Sequence, residues 1–291
     1  MLKIAYLASK ATLPGSPTRR SDAFEHDRMM DALRAPFADK EMRVVDVDWA
    51  APDQDWAAYA AVIIGTTWDY WDHHDQFLGT LQQIESKTRL FNSAALVQWN
   101  SHKGYLRSLE QKGARLIPTL WIDQVDPANA AAAFAQLRSD DLVFKRQVGA
   151  GADGQYRLTP NSPLPDMPHP MMVQPFLSNI QEEGEYSFIF IDGHFCHALL
   201  KTAKTGDYRI QSTYGGQETP IMPDQADLAE AVAVLKTLDE TPLYARVDML
   251  RSDDGHLLLM ELELIEPYLY PLEGPELGPM MAEAVHRRIA D

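Results

Sequence analysis

The segment from His256 to Glu266 reads His-Leu-Leu-Leu-Met-Glu-Leu-Glu-Leu-Ile-Glu, an apolar strand interrupted by acids. A strand repeats every two residues, so Glu261 and Glu263 share one face and Leu262 and Leu264 the other. Two like charges side by side on a buried strand repel each other and lose hydration. One of them is then protonated, or a base lies nearby, or a cation sits between them. Magnesium is the natural cation for a few carboxylates plus phosphate oxygens. On the preceding strand, Tyr244, Arg246 and Asp248 share a face. A register pairing Arg251 with Leu258 sets Asp248 opposite Glu261 and brings three carboxylates together. The plainer alternative is the acidic solvent face of an amphipathic strand, which would carry more Lys and Thr than this segment does.

The rest of the chain divides by pattern. Over the first hundred residues, short apolar runs at 2–8, 43–47, 61–65 and 89–92 alternate with helix-like segments. One helix is expected over 22–33 with Ser21 as N-cap, another over 74–86. Strand–helix alternation of this kind implies a parallel sheet covered by helices. A single helix over 100–112, ending at Gly113, follows. An alanine-rich helix opened by Asp126-Pro127, with the proline at its first position, is expected to run to about Leu137. The Pro-rich stretch 159–170 reads as a linker or a surface loop inside a lobe. The last third looks antiparallel. Asp192-Gly193 suits a type I′ turn between strands 186–191 and 194–200, and 252–255 turns a second hairpin. Helices over 224–238 and 276–289 complete the chain. The fold class is therefore α/β, with α+β character in the C-terminal part.

Charge excludes several functions. The 291 residues hold 26 Lys plus Arg against 42 Asp plus Glu, a net charge of −16. Such a surface repels phosphate backbones and anionic membranes, so neither nucleic acid nor membrane is an expected partner. No apolar run reaches the roughly 18 residues that a membrane helix needs. The start of the chain reads as a β-strand rather than a signal peptide. A soluble, cytoplasmic protein is expected. The lone cysteine, Cys196, allows neither an internal disulfide nor a cysteine-rich zinc site.

Other constellations are less telling. After Lys145 the chain reads Gln147-Val148-Gly149-Ala150-Gly151-Ala152-Asp153-Gly154, a literal GxGxxG. A dinucleotide site needs a helix next, yet residues 155–160 read as a short strand stopped by proline. What remains is a glycine-rich hairpin whose backbone N–H groups can approach phosphates closely, or a flexible surface loop. The acids and histidines at 72–75 suit helix capping better than a metal. His194 and Cys196 share a strand face while His197 points away, which makes a zinc site improbable. Trp68, Asp69 and Tyr70 follow an apolar strand, where ligands bind in open α/β sheets. They are a candidate substrate wall, with an aromatic packing cluster as the equal alternative.

Several motifs, taken in order, resemble the ATP-grasp ligases, the superfamily of glutathione synthetase and D-alanine–D-alanine ligase. Asn100-Ser101-His102-Lys103 resembles the first ATP-binding lysine motif. Leu142-Val143-Phe144-Lys145 and the glycine loop (Gly149, Gly151, Gly154) resemble the second lysine and the phosphate-covering loop. Val173 to Leu177 resembles the adenine-reading hinge, with Gln174, Phe176 and Leu177 as its contacts. Glu185 sits where the family places a ribose-binding acid. Residues 206–216 resemble the segment with a phosphate- or substrate-contacting arginine, Arg209, and a double glycine, Gly215-Gly216. Asp248, Glu261 and Glu263 fall on the family's metal acids, although many relatives have asparagine at the third position. More narrowly, the segments 99–103, 206–211, 244–248 and 260–267 look like the small subgroup containing the cycloserine-biosynthesis cyclo-ligase.

The resemblance implies an ATP-grasp fold with an N-terminal Rossmann-like lobe and ATP bound between two α+β subdomains. It divides the chain at 1–98, 99–176 and 177–291. It implies an ADP-forming carbon–nitrogen ligase that uses ATP and Mg²⁺, with Mn²⁺ as a substitute, and activates a small amino-acid-like carboxylate as an acyl phosphate. Cyclisation within one molecule is compatible with it, as is a homodimer. Arg209 and Lys201 would be the catalytic cations. Trp68, Asp69, Tyr70, Tyr214, Gly215, Gly216 and Arg246 would contact substrate. The alternative function is an ATP-binding regulatory module without catalysis.

Overall fold

The computed structural model describes residues 1–148, 154–204 and 215–290. The chain begins β1 (Leu2–Ala8), α1 (Phe24–Asp39), β2 (Met42–Asp48), β3 (Ala61–Ile64), α2 (His74–Glu85) and β4 (Arg89–Phe91). It continues α3 (Ala94–Asn100), α4 (Tyr105–Gln111), β5 (Leu120–Ile122), α5 (Pro127–Leu137), β6 (Leu142–Arg146), β7 (Tyr156–Leu158) and β8 (Met171–Pro175). The remainder is α6 (Asn179–Glu182), β9 (Glu185–Ile191), β10 (His194–Thr202), β11 (Gln217–Ile221), α7 (Gln225–Leu235), β12 (Tyr244–Arg251), β13 (Leu257–Glu263) and α8 (Leu277–Ala290).

The strands form three sheets. The first is parallel, in the order β2-β1-β3-β4. Its central strands bury both faces, which is why β1 reads as an almost unbroken apolar run. Ile4 and Tyr6 pack with Met29, Leu33 and Phe37 of α1 and with α8. Ala5 and Leu7 face Phe77 and Leu81 of α2 on the other side. Helix α8 lies so close to α1 that a Cβ on Gly278 would meet the Ala32 carbonyl oxygen at 2.1 Å. Helix α1 differs from the expected 22–33. It starts without a side-chain cap and runs through Pro36, because the buried stripe His26, Met29, Met30, Leu33 continues to Phe37. Burial of that last phenylalanine outweighs the missing N–H of the proline.

The second sheet is antiparallel, β11-β10-β9-β12-β13, and the third is β5-β8-β6-β7 with α5 packed on it. Residues 159–170 connect β7 to β8 inside that third sheet. Asp192 and Gly193 both have positive φ, 52° and 76°, as the turn between β9 and β10 requires. Asp126 caps α5 with a full capping box. The single helix expected over 100–112 is two helices, α3 and α4, separated by a turn that carries Lys103. Asn100 ends α3 because its amide is used elsewhere. It donates to Leu262 O (2.9 Å) and accepts from Leu264 N (3.2 Å), closing the free edge of β13. Asn92 works the same way, joining the Tyr244 and Leu264 carbonyls and the Leu243 N–H. Among the described residues, no helix is long and apolar enough to cross a membrane.

Candidate functional site

Cross-strand neighbours share a face of a sheet, so the register of the second sheet fixes what its two faces carry. Lys201 lies opposite both Glu185 and Glu218, Ser187 opposite Asp248, Asp248 opposite Glu261, and Arg246 opposite Glu263. Period two then puts all eight side chains on one face. The alternate residues Tyr186, Phe188, Val247, Met249 and Leu262 fill a hydrophobic core on the other. The expected register was one residue off at the hairpin end. Arg251 pairs with Leu257, and a bulge after Asp248 restores the Asp248–Glu261 pair. The acids therefore meet, but through a bulge that alternation alone does not reveal.

Four of the five acids in this row, Glu185, Asp248, Glu261 and Glu263, are paired with a base. Asp248 is 2% exposed; it accepts from Arg246 Nε (3.0 Å) and Nη2 (2.9 Å) and from the Ser187 hydroxyl, with Lys201 Nζ at 3.5 Å. Arg246 also pairs with Glu263 at 2.5 Å and donates to the Tyr268 carbonyl at 3.1 Å. Lys201 pairs with Glu185 at 2.6 Å, and Lys103 with Glu261. The ring of Tyr270 lies 5.7 Å from the Lys201 ammonium and 5.8 Å from the Arg246 guanidinium. Burial raises Asp248, but Arg246 and Lys201 outweigh it and hold the carboxyl below its usual range. Burial dominates at Glu185 and Glu263, pushing each up to about 7 despite their cationic partners. Burial lowers Lys145 to about 8, with Glu261 opposing and Lys103 adding to the shift. Lys145, on β6, is thus near enough to Lys103, Glu261 and Glu185 to feel their charges.

Among the described residues, no three His, Cys, Asp or Glu side chains form a group arranged to hold a metal ion. Of the three possibilities open for neighbouring acids, a base nearby is present at both Glu261 and Glu263. The donor chemistry nevertheless suits Mg²⁺. Glu261 and Glu263 offer hard carboxylate oxygens that are part-exposed, at 32% and 29%, and each is held by a single cation. Asp248 has both oxygens engaged and is the least available of the three.

The other expected residues fall as follows. Lys103 is positioned by its backbone N–H, which donates to the Gln147 carbonyl at 2.8 Å; the Gln147 amide donates in turn to Met171 O. Gln174 is buried on β8 and donates to Thr119, while its Oε1 has no partner. Phe176 and Leu177 follow β8 and are half-buried, with the Arg157 guanidinium stacked 3.4 Å from the Phe176 ring centre. Gly154 has φ +65° and closes against Arg146, and Gly215 has φ +85° beside Lys204; Gly216 follows it. Gly149, Gly151, Arg209 and Tyr214 lie outside the described residues. In the first sheet, Trp68 donates its indole N–H to Glu266 O at 3.2 Å. Asp69 accepts from Trp49 at 2.7 Å, and Tyr70 is buried against Phe77 and Trp71. The packing role is thus visible for Tyr70, whereas Trp68 reaches the second sheet.

Two expectations away from this face were wrong. Residues 72–75 do not cap α2 by a side chain; His74 Nε2 instead bonds Ser101 Oγ at 2.9 Å. His197 does not point away from Cys196. A bulge at that point brings the imidazole Nδ1 within 3.2 Å of the thiol. Burial pushes Cys196 up to about 12 and His197 down to about 4, so the pair is an inert thiol and a neutral ring. Ser187, Gln147, Glu266 and Tyr270 were not singled out from sequence. Ser187 could have been, since it shares a strand face with Glu185.

Comparison with known proteins places this geometry. Residues 4–92 match the family model of the D-cycloserine synthetase DcsG N-terminal domain. The cycloserine biosynthesis protein DcsG of Streptomyces lavendulae is 28% identical over 262 residues, covering 83% of this chain and 87% of that protein. The crystal structure of D-cycloserine synthetase DcsG superposes with a TM-score of 0.82 at 22% identity, over 99% of both chains. The chain has the fold of the ATP-grasp ligases. The ATP-grasp fold extends to the D-alanine–D-alanine ligase of Bacillus anthracis, with a TM-score of 0.70 at 14% identity over 100% of this chain and 99% of that one. The α/β class, with one parallel and two antiparallel sheets, is that of these ATP-grasp ligases, and the relatives matched are ligases.

Proposed function

We propose that this ATP-grasp protein uses ATP and Mg²⁺ to activate a small amino-acid-like carboxylate as an acyl phosphate and joins it to an amine, releasing ADP and phosphate. The observation that carries this reading is the single sheet face on which two cations and five carboxylates interleave, with Lys145 and Lys103 near it. Moving a phosphoryl group demands positioning and neutralisation of spread negative charge rather than a side-chain nucleophile. Lys103 and Lys145 would hold the triphosphate. Binding would draw Lys103 off Glu261 and free that carboxylate. Glu261 and Glu263 would hold Mg²⁺, with Asp248 orienting Arg246 and Lys201 between them. When bound, Mg²⁺ supplies positive charge that offsets the phosphate oxygens and these acids. Gln174, Phe176 and Leu177 would line the base, and Glu185 the ribose.

In the first step a substrate carboxylate oxygen attacks the γ-phosphorus and ADP leaves. In the second the amine attacks the acyl carbon, a C–N bond forms, the C–O bond to phosphate breaks, and the amine's proton goes to solvent or phosphate. Lys201 and Arg246, and Arg209 beyond the described residues, would stabilise charge on the transferred group and on the tetrahedral carbon. The amine belongs either to a second molecule or to the activated one. The test is ADP release by the protein with ATP and Mg²⁺ against amino acids, dipeptides, and ureido or aminooxy amino acids. Release that depends on one carboxylate supports the ligase. ATP binding without release under any pairing supports the regulatory module instead.

A further inference from the structure

The acids on β12 and β13 each meet a base, but the next acid along does not. Glu266 stands three residues beyond Glu263, in the turn that leaves β13. Its backbone is held from two sides. The Trp68 indole donates to its own carbonyl, and the Tyr244 hydroxyl donates to the carbonyl of Ile265 at 2.7 Å. Its carboxylate has neither an ion pair nor a hydrogen bond to another described side chain. The cation that opposes its acidic neighbours is Arg246, which is engaged by Asp248, Glu263 and the Tyr268 carbonyl. Burial, then Glu263 and Glu261, drive its carboxyl well above the usual range. The side chain is only part-buried, so a ligand can reach it. Tyr70, on the first-sheet side, is near enough for Glu266, Glu261 and Glu263 to add to the rise that burial gives its hydroxyl.

A carboxylate fixed by its backbone, beside the candidate phosphoryl-transfer site and without a cation of its own, is complete only when something brings one. We propose that Glu266 receives a cationic nitrogen of the substrate, in a subsite walled by Trp68 and Tyr70, and so restricts the enzyme to amine-bearing carboxylates. This deepens the ligase reading and rests on it. A second group of acids, Glu25 on α1 and Glu218 on β11, also lies near Arg246, but Arg28 adds a further cation there. Glu266 has no such additional base and stands on the metal side of the site, where the acyl group would be activated.

The test uses the full-length enzyme and the amine-bearing acid that gives the fastest ADP release in the screen, beside its desamino analogue. Glu266→Gln should raise KM for that acid roughly 10- to 100-fold, as expected for loss of one charge-assisted hydrogen bond. It should leave the Kd for ATP with Mg²⁺ unchanged and lower kcat less than kcat/KM. Glu266→Asp should restore part of the lost kcat/KM, which a purely structural residue would not do. Glu25→Gln should change KM far less. The inference is overturned by an unchanged KM in Glu266→Gln, by a larger KM effect in Glu25→Gln, or by equal turnover of the desamino analogue in the wild type. Absence of ADP release from the wild type with any carboxylate would overturn the ligase reading itself, and this assignment with it.

Discussion

The parallel sheet and the five-stranded antiparallel sheet both bury polar side chains, in opposite ways. At the C-terminal ends of β1 and β3 the buried groups are neutral. His26, fully buried, meets Thr66 Oγ1 at 2.6 Å, and Thr66 meets Thr12 at 3.2 Å. Burial outweighs the Asp46 carboxylate, 3.7 Å from Nε2, and holds the His26 imidazole below its usual value, so the ring is neutral there. On the antiparallel sheet the buried groups are ions, with Lys201 and Arg246 interleaved among Glu185, Asp248 and Glu263. Apolar residues in those places would stabilise a sheet as well or better. An ionic row kept in a core is better understood as machinery that exchanges partners than as a stabilising device.

Removing one partner from each region separates the two cases. The largest effect is expected at Arg246, where Arg246→Met leaves Asp248 buried without its main cation. Denaturant unfolding should show a loss of about 3–5 kcal/mol, together with loss of turnover. A stable, active variant would make the row ornamental.

Next comes pH. Lys145 holds its proton below about 8 in the free protein and loses it as pH rises through that value. Triphosphate favours the charged lysine, so binding takes up a proton above pH 8. The Kd for ATP should therefore rise about fivefold from pH 8 to pH 9. Lys145→Arg, charged throughout, should flatten that slope. A wild-type Kd independent of pH would remove Lys145 from the phosphate site. The smallest effect is expected at the neutral junction. Asn92→Ala removes three backbone contacts and should cost roughly 1–3 kcal/mol in unfolding while leaving the Kd for ATP unchanged.

How much of this was legible in the sequence depended on range. Alternation alone placed Glu261 and Glu263 together, and Asp-Gly set the β9–β10 turn, because both signals are local. The bulges at Asp248 and at Cys196 were not legible, since an unpaired residue leaves no mark on composition. The break between α3 and α4 was hidden for a different reason: Asn100 stops the helix by bonding β13, more than 160 residues away. The motif order assigned Lys103, Lys145 and Asp248 to one site, but could not show that Asp248 would already hold a cation. Glu266 stood in a recognised motif without a role, because nothing local distinguishes an unpaired acid from its paired neighbours.

The most direct measurement of the central claim, that this sheet face couples ATP cleavage to a carboxylate, compares the wild type with Glu261→Gln. ADP release is followed with and without the acid found in the screen, and ATP binding is measured on the same samples. The account predicts carboxylate-dependent release by the wild type and a loss of roughly 100-fold or more in the folded, ATP-binding variant. Equal, carboxylate-dependent release by both proteins would contradict it.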